Sequence, residues 1–294
     1  MNENLKAAVY GFAVGDALGV PYEFKERGHF VAMDMVGNGS HNQPIGTWSD
    51  DTSLVLATCE SIKRCGKIDT VDIMENFSKW YYDGEFTATG QKFDVGGAVS
   101  RAIERYKNNG ILYGDENDIY SNGNGSLMRI LPLAFCENRL QYVNEVSALT
   151  HAHPISKIAC LLYVEILFNL SKGKKENIVD IIHNSMCNIS EISNVLGGEY
   201  INKYHRIETI GKISQLHIRS TPYVVDTLEA ALWCVIFSYD YTEAVLTAVN
   251  LGGDTDTISA LTGALAGVIY GYESIPNKWI DNLKNKELIE SCLF

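Results

Sequence analysis

No CxxC pair occurs among the seven cysteines of this 294-residue chain, so cysteine-built zinc and thioredoxin-like sites are not expected. The odd number, mostly inside apolar stretches, predicts free buried thiols in a reducing compartment. Long hydrophobic runs are missing too. The longest apolar stretches, 258–271 among them, reach about 14 residues, too few to cross a bilayer. The opening MNENLKAAVYGFAVGDALG has no basic run and carries Asp16, so it is not read as a signal peptide. A cytoplasmic, monomeric protein is expected. Positive charge is scarce: 24 Lys and Arg stand against 36 Asp and Glu, a net charge of −12. That balance disfavours nonspecific binding to nucleic acid or to an anionic membrane. It leaves room for an anionic small ligand, because local donors or metal ions override the global field.

Prolines number only six, and the long intervals between them carry mostly helical periodicity. Strand signals are weak. FVAMDMV at 30–36 reads equally as a short strand or an irregular loop. From Asp50, the apolar set Leu54, Val55, Leu56, Cys59 and Ile62 predicts a helix ending before Gly66. Segment 69–82 predicts another amphipathic helix, and 98–108 a third that ends at Gly110. Segment 154–171 is apolar nearly all round and opens on Pro154, which predicts a central helix. Segment 222–238 also opens on proline, with Thr221 as its expected cap. Asp240 and Glu243 form a capping-box-like pair. Small residues fill 256–271, which allows close helix packing. No repeat, low-complexity tract or linker interrupts the chain. Residues 1–294 are read as a single compact, nearly all-α domain with a many-helix core.

The chemistry lies at the helix junctions. GTWSDDT, 46–52, places Ser49, Asp50 and Asp51 at a helix start. GGDTDT, 252–257, does the same with Asp254, Asp256 and Thr257. Helix capping explains either segment alone. Together they offer four carboxylates and several hydroxyls, a costly cluster unless cations neutralise it. Hard oxygen donors without cysteine or paired histidine suit Mg²⁺, Mn²⁺ or Ca²⁺ rather than zinc. The first segment, GFAVGDALGVPYEF, has glycines at 11, 15 and 19, a flat face for close packing, with Asp16 nearby. Glu23 follows Pro21 in a non-helical stretch, as a solvated loop acid or a mobile functional one. Asp94 precedes Gly96, Gly97 and a helix, where an N-cap is the plain reading. SNGNGSLMR, 121–129, is a glycine-rich loop before a helix, and its free N–H groups suit a phosphate. THAHP puts His151 and His153 before the central helix, as satisfied or capping histidines ahead of metal ligands.

Taken in order, GFAVGDALGVPYE, GTWSDDTS, FDVGGAV, GNGSLMR, THAHP, YVVDTLEAALW and GGDTDT resemble the ADP-ribosylglycohydrolase family over roughly residues 6–272. The resemblance implies an all-α orthogonal bundle with a dinuclear Mg²⁺ or Mn²⁺ centre in a cleft. It implies metal ligands at Ser49, Asp50, Asp51, Asp254, Asp256 and Thr257. Relatives more often carry Thr at the first of these; Ser49 keeps the hydroxyl. Glu23 matches the acid of the family's mobile glutamate loop, and Asp94 an acid assigned to catalysis in some members. Gly125 and Ser126 fall in the loop resembling the pyrophosphate-binding segment, and His151 matches a position near the ligand. The implied reaction is hydrolysis of the glycosidic bond between ADP-ribose and an acceptor, foremost ADP-ribosyl-arginine on protein. Two alternatives stand beside it: a two-metal nucleotide phosphohydrolase, and a non-enzymatic, crystallin-like member. Retention of the four aspartates and Glu23 argues against the second.

Overall fold

The computed structural model describes residues 2–172, 178–193 and 198–294. Twelve α-helices carry the described chain: α1 (Glu3–Gly19), α2 (Asp50–Cys65), α3 (Thr70–Asp83), α4 (Gly97–Asn109), α5 (Arg139–Ala148), α6 (Pro154–Lys172), α7 (Ile178–Ser193), α8 (Val224–Ile236), α9 (Tyr241–Val249), α10 (Thr255–Tyr270), α11 (Asn277–Asn282) and α12 (Lys286–Cys292). Short 3-10 turns join them. Among the described residues there are isolated β-bridges and no strand. The all-α expectation holds. Segment 30–36 is irregular, pinned where Asn250 donates to the Ala32 carbonyl and accepts from its N–H.

The centre of the fold is the pairing of α1 with α10. Gly11 lies against Gly263, Gly15 against Ser259, and Gly19 against Asp256, so the two helices run antiparallel. A β-carbon at Gly15 would overlap α10 backbone, with Ala260 Cα at only 3.0 Å. Small residues thus let the two backbones touch. Hydroxyls complete the seam: Ser259 donates to the Gly15 carbonyl at 2.6 Å and Thr255 to the Gly19 carbonyl at 2.8 Å. Antiparallel packing has a direct consequence. The C-terminal end of α1 meets the N-terminal start of α10, so the residues after Gly19 arrive beside Asp254 and Asp256.

Helix α2 is oriented from the same seam. Asp16 of α1, fully buried, accepts from the Ser49 and Thr52 backbone N–H groups and from the Thr52 hydroxyl at 2.6 Å. Helices α2 and α4 end on Gly66 and Gly110 in the left-handed conformation, as their sequences predict. Helix α6 is longer than the apolar runs read from sequence. At 19 residues it is long and apolar enough to cross a membrane, but most of it is buried in the bundle, with Tyr163 donating to the Leu261 carbonyl of α10.

Three local expectations change. The cap of helix α8 lies two residues after the predicted one. Tyr223 is the N-cap, and Thr221 instead donates to Asp226 and accepts from the Tyr223 N–H. The run after SNGNG forms 3-10 turns at Leu127–Arg129 and Leu131–Phe135 rather than an α-helix. Pro132 lacks an N–H and cannot continue an α-helical ladder there. Gly96, not Asp94, occupies the cap position of α4, and Asp94 stands free of it with φ 52°.

Candidate active site

A cavity of about 620 Å³ opens where the starts of α2, α4 and α10 converge. Its floor carries Asp50, Asp51, Asp254 and Thr257, with Glu23 and Asp94 on the wall. Gly96–Val99 form one side, and Gly123–Gly125 with His151 another. Phe24 and Tyr120 stand at the mouth, 71% and 91% exposed. The segments separated by two hundred residues of sequence therefore do meet.

Glu23 is not a solvated loop acid; only 5% of it is exposed. Pro21 and the end of α1 take the chain out of helix, and the loop then binds the GGDTDT segment. Phe24 N–H donates to the Gly253 carbonyl at 2.8 Å and Gly253 N–H to the Lys25 carbonyl at 2.9 Å. Arg27 adds bonds to the Leu251 and Ile218 carbonyls. One oxygen each from Glu23, Asp254 and Asp256 lies within 4.8 Å of the others. Atoms of Glu23, His41 and Asp94 satisfy the same condition.

The electrostatics of this cluster are severe. Burial, then the neighbouring carboxylates, push Asp50, Asp51 and Asp256 well above the ordinary aspartate range. Burial raises Asp254 as well, opposed by hydrogen bonds from its neighbours, Asn124 among them. Burial pushes Asp16 up to about 6 and Glu23 up to about 7, the latter opposed by its bond to His41. That same bond raises His41. Among the described lining residues Arg101 is the one permanent cation, and it is exposed. Asp51 Oδ2 is buried with no hydrogen-bond partner. Packed acids without counter-charge and an orphaned buried oxygen fit a hard divalent cation, which accepts several oxygen ligands at once.

The remaining sequence candidates divide. Ser49 caps α2, its hydroxyl accepting from the Asp51 N–H at 3.2 Å, and it lies buried beneath the floor. Asp256 is buried likewise, its Oδ1 accepting from the Thr257 N–H at 2.9 Å. Gly125 lines the cavity, and a side chain there would meet the His151 ring at 2.8 Å. Arg129 braces this loop from below, donating to the Gly125 carbonyl and the Thr150 hydroxyl. His151 faces the cavity with Nδ1 at 2.8 Å from that hydroxyl. Burial, then Arg129 and Arg101, push it down to about 3, so it is neutral. Ser126 turns away. It is fully buried, with Ser147 and Cys160 donating to its hydroxyl.

Two site residues escape the sequence reading. Asn124 donates to Asp254 at 2.5 Å and to Thr227 at 3.1 Å, tying the glycine loop to the floor. His41 pairs with Glu23. Asn124 lies within the SNGNGS loop, directly before Gly125. His41 lies in GSHN, with nothing in the local pattern to mark it.

An all-helical fold thus carries a carboxylate-floored cleft beside a glycine loop, an arrangement suited to metal-assisted hydrolysis. A family model described as ADP-ribosylglycohydrolase matches residues 1–293. The chain belongs to the ADP-ribosylglycohydrolase family, and it is an enzyme of that type. It is 33% identical to an ADP-ribosylarginine hydrolase of Serratia proteamaculans, over 98% of this chain and 77% of that one. It is 30% identical to the ADP-ribosyl-[dinitrogen reductase] glycohydrolase of Rhodospirillum rubrum, over 97% and 92%. A solved structure titled as an ADP-ribosylglycohydrolase-related protein complex superposes with a TM-score of 0.77 at 31% identity, covering 99% of this chain and 95% of the other.

Proposed function

We propose that the protein hydrolyses the N-glycosidic bond between ADP-ribose and an arginine side chain of a modified protein, with two Mg²⁺ or Mn²⁺ ions. Ser49, Asp50, Asp51, Asp254, Asp256 and Thr257 would hold the ions. Bound there, the ions supply positive charge that neutralises the floor and orients the ribose hydroxyls and water. The observation that carries this reading is the meeting of Asp50, Asp51, Asp254 and Glu23 on one cavity. The relatives named for ADP-ribosylarginine and for dinitrogen reductase support the acceptor.

The chain's own groups have separable tasks. The N–H groups at the start of α4 and those of Gly123 and Gly125 suit the pyrophosphate, while the Asn124 N–H is given to the Pro222 carbonyl. Neutral His151 beside Gly125 offers a hydrogen bond without charge. Glu23 takes the proton of the attacking water as its oxygen bonds to the anomeric carbon. The C–N bond breaks with its electron pair leaving on the nitrogen, and arginine departs as a neutral guanidine that takes up a proton. Asp94, on the same wall, is placed to relay to that nitrogen the proton Glu23 took from water. Charge on the ribose grows in that step, and nearby carboxylates stabilise it. The seven free cysteines support a reducing, cytoplasmic setting. We read 1–294 as one catalytic domain, acting as a monomer.

Incubation with ADP-ribosylarginine in Mg²⁺ tests the reading. Free ADP-ribose and arginine should appear, and EDTA should stop their release. Release of AMP or phosphate instead would favour phosphohydrolysis. Turnover of O-linked ADP-ribose with none of the arginine conjugate would remove arginine as acceptor.

A further inference from the structure

Glu23 lies on a stretch with no helix to fix its side chain, so something else must aim it. Residues 38–43 supply the grip. Asn38 N–H donates to the Gln43 carbonyl at 2.6 Å, closing a turn around the short 3-10 segment Gly39–His41. Asn42 follows it with φ 51° and ψ 40°, the left-handed conformation asparagine tolerates. Gly39 lies on the Pro21 backbone so closely that any side chain would overlap it. Ser40 donates to the Glu23 carbonyl at 2.5 Å. His41 Nε2 meets Glu23 Oε2. The His41 ring stands between Phe24 and Phe93, at centroid separations of 5.8 and 5.3 Å. One turn therefore holds residue 23 by its backbone and by its carboxylate, and it touches none of the aspartates of the floor through a hydrogen bond on these groups.

We propose that His41 is a positioning residue: it fixes the Glu23 carboxylate toward the cavity by its Nε2 bond and acts on the reaction only through Glu23. With Oε2 engaged by His41, Oε1 is left to face the reacting water. A glutamate released from that bond regains several rotamers, few of them aimed at the anomeric carbon. The inference rests on the proton-transfer reading of Glu23.

The test uses steady-state turnover of ADP-ribosylarginine in Mg²⁺ together with calorimetric metal titration. His41→Phe keeps a ring between Phe24 and Phe93 and removes the bond. It should lower kcat by about 10- to 100-fold, the usual effect of a misplaced catalytic group, with KM changed by no more than about threefold. Metal binding should be unchanged. His41→Gln restores an N–H at similar reach and should recover most of the lost kcat. On a Glu23→Gln background, His41→Phe should cost nothing further. Should His41→Phe not fold, His41→Asn, whose amide is too short to reach Glu23, should show the same loss. A kcat within twofold of the parent, an additive loss on the Glu23→Gln background, failure of His41→Gln to recover, or loss of a metal ion would each overturn the proposal. If Glu23→Gln is itself silent, the proton-transfer reading falls and this inference with it. If Glu23→Gln is impaired while His41→Phe is silent, only the positioning role falls.

Discussion

Asp51→Asn should make the metal-free protein more stable and the metal-loaded protein less stable. Asp51 is fully buried, its Oδ2 has no partner, and Asp50, Asp16, Asp254 and Asp94 all press on it electrostatically. Without cations, keeping that group in the fold at pH 7 carries a penalty. Burial, then the neighbouring acids, hold the carboxyl well above its ordinary 3.8, so ionising it in the cation-free fold costs stability. The sign follows from the direction of the shift. The folded value lies above the unfolded one, so the penalty grows as pH rises from 3.8. Asparagine does not titrate, and its NH₂ brings donors where the carboxylate has only acceptors. It still loses water on burial, so we expect a net gain of about 1–2 kcal/mol. That gain is about 2–8 °C in melting temperature for a chain of this size class.

With Mg²⁺ present the order should reverse. A ligand at a hundred times its dissociation constant stabilises the folded state by about 2.7 kcal/mol per site. The variant forfeits part of that. Thermal melts of both proteins in EDTA and in excess Mg²⁺ would therefore cross. A variant that melts below the parent in EDTA, or gains as much from Mg²⁺ as the parent does, would refute the reasoning.

Four further outcomes are expected. Glu23→Gln should lower kcat by about 10²–10⁴-fold while both metal sites titrate as in the parent; loss of an ion instead would make Glu23 a ligand. Free ADP-ribose should raise the melting temperature in Mg²⁺ more than AMP does, because AMP lacks the distal ribose; equal shifts would count against ribose contact with the ions. Gly15→Ala inserts a methyl into α10 backbone that cannot yield, so it should cost about 1–3 kcal/mol in urea unfolding and reduce turnover; neutral behaviour would disprove the tight seam. His151, folded at about 3 against an ordinary 6.5, contributes stability that is present above pH 6.5 and lost as pH falls toward 3. His151→Asn should lose less stability than the parent between pH 7 and 4.5, by about 2–3 kcal/mol at 1.36 kcal/mol per unit; parallel urea midpoints at the two pH values would contradict it.

What the sequence discloses is local. Helices α2, α3, α4 and α6 are readable because period and terminal glycine or proline are properties of neighbouring residues. The glycine spacing in α1 correctly marks a close seam, although nothing in it names α10 as the partner. Asp94 illustrates the opposite case. Its place before Gly96, Gly97 and a helix predicts a cap, but a left-handed backbone at φ 52° carries it to the cavity wall. Ser126 is lost for a similar reason, since its hydroxyl is engaged in the core by Ser147 and Cys160, 21 and 34 residues further along the chain. His41 and Asn124 act through partners that the fold brings from eighteen and 130 residues away. No periodicity encodes such pairs.

The placement of the acids follows from the helix starts. Three α-helices, α2, α4 and α10, point their N-termini at one cavity. Each start presents unpaired N–H groups and the positive end of a helix dipole, which favours negative charge by about 0.3–1 kcal/mol per site, and up to about 2 when partly buried. That is enough to make helix starts the natural place for carboxylates. It is smaller than the cost of burying Asp50, Asp51, Asp254 and Asp256 together, each of which is pushed upward despite its dipole and hydrogen bonds. The fold therefore assembles the acids but does not neutralise them. Helix packing at the glycine seam, rather than charge pairing, holds the cluster together. That leaves the cluster's charge available to a cation, and it is why replacing one floor aspartate should raise the stability of the metal-free protein and abolish function at the same time.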